Sequence, residues 1–115
     1  MLVRELAETI GAKLVTAGRG DSVAIGRVYA GDRMSDLLNE VTDTTLLVTN
    51  LGNSTLVRLI ELMDAPGVCL LNGVEPDEAI VGAAQRHGTA LLVSPEGMFS
   101  TCGRLYEALR CDTER

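Results

Sequence analysis

The chain has 115 residues, of which 46% are hydrophobic and only 3% aromatic, and 10 basic side chains against 16 acidic ones give a net charge of −6. That length suits one domain with a single core built from Leu, Val, Ile, Ala and Met. The acidic balance argues against broad binding to nucleic acid or to anionic membrane, which ask for a positive face, and no apolar run approaches the roughly 20 residues of a membrane helix.

The first residues carry Arg4, Glu5, Glu8 and Lys13, unlike a signal peptide. Cys69, Cys102 and Cys111 are odd in number and lack metal-ligand spacing, so they read as free thiols of a cytoplasmic protein. Residues 2–10 are expected to form a short helix with Leu2, Val3, Leu6 and Ile10 inward and Gly11 at its end. Residues 13–16 read as a short edge strand of unsettled position. The loop GRGDS at 18–22 reads as a turn rather than an integrin motif. A strand over 23–30 should lead through Gly31-Asp32 into a helix capped by Asp32, with Met34, Leu37, Leu38 and Val41 on one face.

The stretch 45–78 organises the rest. Leu46, Leu47 and Val48 form a continuous apolar run, as do Val68, Cys69, Leu70 and Leu71; strands covered on both faces of a parallel sheet look like this. Between them Leu56, Leu59, Ile60 and Met63 recur at helical spacing, and Asn53 or Ser54 is expected to cap that helix. After Asn72-Gly73, the acidic residues of Glu75-Pro76-Asp77-Glu78 suit the first turn of a helix that Gly88 ends. Ile80, Val81 and Ala84 should face inward, with Ala83 flanking and His87 in a structural role on an apolar flank. A last strand over 90–93 and a helix opening at Ser94-Pro95-Glu96 follow. That helix should line one face with Met98, Cys102, Leu105 and Leu109, broadened by Phe99 and Tyr106. The expected fold is therefore α/β: one domain over 1–110, a mostly parallel sheet of four to five strands with helices on both faces, and a frayed tail over 111–115.

Ligands of open parallel sheets sit beyond the carboxyl ends of the strands. Those ends supply the candidate ligand-binding residues Asp32, Asn50, Asn53, Ser54, Asn72, Gly73, Glu75 and Ser94, near several helix amino ends. Such a rim suits a small anionic metabolite or a nucleotide, although capping and turn-forming use the same residue types. No catalytic residue, metal site or cofactor is expected. Glu75/Asp77 and Asp32/Asp36 read as solvated helix starts, and neither a G-x-x-x-x-G-K-[ST] loop nor a G-x-G-x-x-G turn is present.

The run VCLLNGVEPDEAIVGAAQRHGTALLVS (68–94), with GRLYEAL (103–109), resembles the DRTGG domain. The resemblance extends upstream through Gly31-Asp32-x-x-Ser35-Asp36 and the loop ending in Asn53, and covers roughly 23–109. The literal DRTGG string is absent, and Leu51-Gly52-Asn53 departs from the commoner polar loop. DRTGG domains are similar to the N-terminal domain of HPr kinase/phosphorylase and, more distantly, to that of Mur ligases. They accompany CBS domains in regulated pyrophosphatases, occur in some phosphate acetyltransferases, and also stand alone. The resemblance implies an accessory, regulatory and non-catalytic domain that tends to dimerise. A homodimer could use the helix over 54–64, which carries Val57 and Leu62, or the terminal helix with Phe99 and Tyr106. A partner-protein module without a small ligand, which calls for an exposed apolar patch, and an enzyme with a positioned acid or base at the rim are the alternatives.

Overall fold

The structure is a computed structural model that describes residues 1–113 of the chain. Its elements run α1 (Val3–Ile10), β1 (Lys13–Thr16), β2 (Arg27–Ala30), α2 (Met34–Glu40), β3 (Thr45–Val48), α3 (Asn53–Leu62), β4 (Gly67–Leu70), α4 (Glu78–His87), β5 (Ala90–Val93) and α5 (Met98–Thr113). The five strands form one sheet in the order β1-β5-β4-β3-β2. β2, β3, β4 and β5 are parallel, and β1 pairs antiparallel with β5, Lys13 lying opposite Val93.

The continuous apolar runs are explained by burial on both faces. On one face Leu46 and Val48 of β3, Cys69 of β4, and Ala90 and Leu92 of β5 pack under Val3, Leu6 and Ile10 of α1 and Leu105 and Ala108 of α5. On the other, Leu47, Val68, Leu70, Leu91 and Val93 meet Leu37 of α2, Leu56, Leu59 and Ile60 of α3, and Ile80, Ala83 and Ala84 of α4. Every crossover from β2 to β5 advances one strand in the same direction, so a single hand of connection places α2, α3 and α4 together. The first and last helices are left to cover the opposite face.

Several expectations are corrected by this packing. The strand expected over 23–30 begins at Arg27, because the Ile25 N–H donates to the Met1 carbonyl and Ala24 bridges Leu2, so the chain there is held by the start of α1 rather than by β3. Neither expected cap operates at α2 or α3. The N-cap of α2 is Arg33 and that of α3 is Gly52, both without a side-chain hydrogen bond. Asp77 does cap α4, accepting from the Ile80 N–H at 3.0 Å. Leu38 is 45% exposed, because Leu37 alone of that helix turns fully into the core. His87 is exposed rather than set against an apolar flank. Phe99 and Tyr106 are 92% and 69% exposed, on the side of α5 away from Thr101, Leu105 and Ala108. α5 begins at Met98, after a turn, and continues through Cys111 to Thr113 instead of fraying there. The Met1 amino group pairs with Asp112 at 3.2 Å, and Arg110 with Glu107 at 2.7 Å, which supports that last turn. Residues 114 and 115 of the expected tail lie outside the described residues.

Burial separates the three thiols. Cys69 is fully enclosed in β4, and that burial pushes its thiol up to about 12; the half-buried Cys102 is also raised by burial. Cys111 is exposed. A thiol reagent at pH 8 should label Cys111 first, Cys102 slowly, and Cys69 only on unfolding; peptide mapping after timed labelling checks the order. Folding also holds the Cys69 proton. Its contribution to stability is complete below about pH 9 and falls as the pH rises toward about 12, since the unfolded thiol ionises first.

Candidate functional site

The parallel strands deliver their exits to one rim, and β1 joins it by running the other way, which brings Lys13 beside the end of β5. A ligand crevice in such a sheet is expected where helices after adjacent strands leave to opposite faces. Here that point lies between β4, followed by α4, and β5, followed by α5. It is stitched closed. The Asn72 N–H donates to the Glu96 carbonyl and the Gly73 N–H to the Ser94 carbonyl, both at 2.8 Å. Holding these bonds requires two successive left-handed residues, Asn72 at φ 59° and Gly73 at φ 63°. Asn72 is the one described non-glycine residue with positive φ, and its short polar side chain tolerates that region.

The open space lies one strand over. A cavity of about 480 Å³ is bounded by Thr49, Asn50, Leu51 and Gly52 after β3 and by Asn72, Val74, Glu75, Pro76 and Asp77 after β4, with Leu70, Leu71 and Ile80 as its floor. A second cavity, of about 330 Å³, lies behind the same 73–76 loop, between Gly11, Lys13 and Val15 on one side and Val93 and Pro95 on the other. Glu75 lines both.

The expected site residues divide as follows. Asn50, Asn72 and Glu75 share the first cavity, and Gly73 lines the second. Asp32 braces the rim from below: its Oδ1 accepts the Thr49 hydroxyl at 3.0 Å and the Asn50 N–H at 2.6 Å, tying the end of β2 to the exit of β3. The Thr49 Oγ1 then accepts the Leu51 N–H at 3.1 Å, which sets the turn into α3. Ser94 is buried, and its hydroxyl is spent on Thr101 Oγ1 at 2.7 Å and on the Glu96 N–H at 3.2 Å. It belongs to the turn before α5 and lines neither cavity. Ser54 is exposed on α3 and also lines neither. The side chain of Asn53 lies outside the described residues. Thr49, Gly52 and Lys13 were not singled out by sequence; a Thr-Asn pair directly after a buried strand was the available signal for Thr49, and none marked Lys13.

Chemically, the first cavity offers the side-chain amides of Asn50 and Asn72 and the carboxylates of Glu75 and Asp77, with no basic side chain in its lining; the buried Thr49 hydroxyl is engaged by Asp32 and Leu51. The amino end of α3, where Gly52 contributes no capping side chain, supplies N–H groups that lack intrahelical acceptors. Among the described residues no group of three or more His, Cys, Asp and Glu is placed to hold a metal ion, and no helix is long and apolar enough to cross a membrane.

No family model matches the chain. No curated protein matches it either. Among solved structures it is similar to the CBS and DRTGG domains of the regulatory region of Clostridium perfringens pyrophosphatase, complexed with the activator diadenosine tetraphosphate. The TM-score is 0.77 at 15% identity, over 90% of this chain and 45% of that one. The chain thus has a DRTGG-like α/β domain fold, as its sequence resemblance implies, and spans less than half of the neighbour.

Proposed function

We propose that this chain is a non-catalytic regulatory domain of the cytoplasm that works as a homodimer and senses a nucleotide-like ligand in the cavity between β3 and β4. The convergence of Asn50, Asn72 and Glu75 on one cavity of about 480 Å³ carries the reading, since small-molecule sites of this size combine an apolar floor with a few placed polar groups. The charges favour a ligand with two chemically different ends. The α3 amino end suits a phosphate, while Asn50, Asn72 and Glu75 suit the hydroxyls and amines of a nucleoside. A bare anion is the poorer fit, because the lining holds two carboxylates and no basic side chain. The nucleotide activator bound to the neighbouring pyrophosphatase region supports a nucleotide class. An enzyme is less well supported, because the cavity pairs no nucleophile with a base.

Two-dimensional NMR titration with adenosine, AMP, diadenosine tetraphosphate and inorganic phosphate tests this. Shifts at Asn50, Gly52, Asn72 and Glu75 with at least one nucleotide are expected. Silence at all four, with every probe at millimolar concentration, removes the reading. Asp32→Ala provides a second check. It should cost about 1–2 kcal/mol of stability through two lost hydrogen bonds to a charged acceptor, measured in urea, and weaken nucleotide binding by freeing the Thr49–Leu51 turn.

A further inference from the structure

The second cavity, of about 330 Å³, lies where β1 runs against the direction of β5. Its walls are apolar. Val15 of β1, Val93 of β5, Val81 of α4 and Val74 of the rim loop line it, and Pro76 and Pro95 add rigid surface that carries no backbone N–H. Two charged side chains complete the lining, Lys13 and Glu75. Neither makes an ion pair or a side-chain hydrogen bond among the described residues, and they do not reach one another. The groove beside α1 and α5 is a contrast. There Arg104 is paired with Glu96, Glu107 with Arg110 and the Met1 amino group with Asp112.

From this juxtaposition of one unpaired cation, one unpaired anion and valine-lined walls, we infer that the second cavity binds a free α-amino acid with an aliphatic side chain. The Lys13 ammonium takes the α-carboxylate, and the Glu75 carboxylate takes the α-ammonium, each as a charge-assisted hydrogen bond. The side chain leaves water against the valines and prolines. A ligand with a single charge fits less well. An apolar carboxylic acid brings its charge toward Glu75, and an apolar amine brings its charge toward Lys13, whereas a zwitterion answers both. The volume is at the small end of the roughly 300–1,000 Å³ of small-molecule sites, which suits a molecule of this size. The site stands beside the one proposed between β3 and β4, sharing only the 73–76 loop with it, and does not depend on a nucleotide binding there.

Two-dimensional NMR titration with L-leucine, 4-methyl-2-oxopentanoate and 3-methylbutylamine tests this, because the three share an isobutyl group and differ in charge. Saturable shifts at Lys13, Val15, Gly73 and Val93 are expected with leucine, and the acid and the amine should each bind at least about 10-fold more weakly. Lys13→Met and Glu75→Gln should each weaken leucine binding at least about 10-fold. Both positions are exposed, so the far-UV circular dichroism of the folded chain should be retained. Lys13→Met is the stricter variant, because Lys13 lines this cavity and not the first. Four results overturn the assignment: no saturable shift with leucine at millimolar concentrations, equal binding of the three probes, leucine binding indifferent to Lys13→Met, or leucine shifts confined to Asn50 and Gly52 of the other cavity.

Discussion

Leu92→Ala is expected to lower the unfolding free energy by about 3 kcal/mol, within the roughly 2–5 kcal/mol typical of a buried leucine cut back to alanine. Leu92 is fully buried in β5, the strand between antiparallel β1 and parallel β4. Its side chain belongs to the cluster joining α1 and α5 to the sheet. Close-packed walls on several elements relax little around a missing isobutyl group, so a cavity term adds to the lost transfer energy. The loss is large against a total of about 5–15 kcal/mol for a domain of this size. Leu62→Ala is the contrast, since Leu62 is 61% exposed and should change stability by less than about 0.5 kcal/mol. Urea unfolding of both variants at one fixed protein concentration measures the difference. A loss for Leu92→Ala no greater than for Leu62→Ala would mean that the α1–α5 layer is not packed as described.

That layer also marks where sequence was informative. Continuous apolar runs such as Leu46-Leu47-Val48 announce strands covered on both faces, because alternate side chains must each meet a helix. They carry no record of which helices meet them. The direction of β1 is not legible in sequence, since a four-residue strand between two turns fits an edge in either sense, and with it the place of Lys13 at the rim stays hidden. Helical spacing sets Phe99 and Tyr106 at the margin of the apolar stripe of Met98, Cys102, Leu105 and Leu109, whereas the folded helix is turned so that Thr101 and Ala108 flank Leu105 in the core. A small buried threonine can lie there because its hydroxyl is satisfied by Ser94.

The candidate site was legible in part for a similar reason. Asn50, Asn72 and Glu75 lie directly after strands or just before a helix, so local sequence fixes the rim they share. Asp32 reads from sequence both as the cap of α2 and as a rim residue; it does not cap α2, and its hydrogen-bond partners, Thr49 and Asn50, are 17 and 18 residues away, beyond what local spacing can suggest. Ser94 shows the converse. A serine after a strand invites a ligand role, yet Thr101, seven residues on, claims its hydroxyl. Nor does sequence reveal that the β4–β5 exit is closed by backbone hydrogen bonds, since those involve no side chain.

Gly18→Ala and Gly73→Ala should separate two costs that glycine avoids. Gly73 has φ 63°, but a side-chain carbon there would meet nothing within 4 Å. Alanine should therefore pay only for the left-handed conformation, about 1 kcal/mol, while the bond from its N–H to Ser94 survives. Gly18 has φ 48° and also lies against the turn between α4 and β5, where an added carbon would stand 2.6 Å from the Gly88 carbonyl oxygen. The obstacle is backbone, which no rotamer change can move aside. It is further pinned there because the Arg19 N–H and Nε both donate to that oxygen, at 2.9 and 3.1 Å. Overpacking of about 1–3 kcal/mol should add to the conformational cost, for a total of about 2–4 kcal/mol. The loop at 17–22 would have to lift off the turn, loosening the return from β1 to β2. Urea unfolding of the two variants side by side reads the difference. Equal losses would show that the loop yields without resistance and that conformation alone accounts for glycine at both positions.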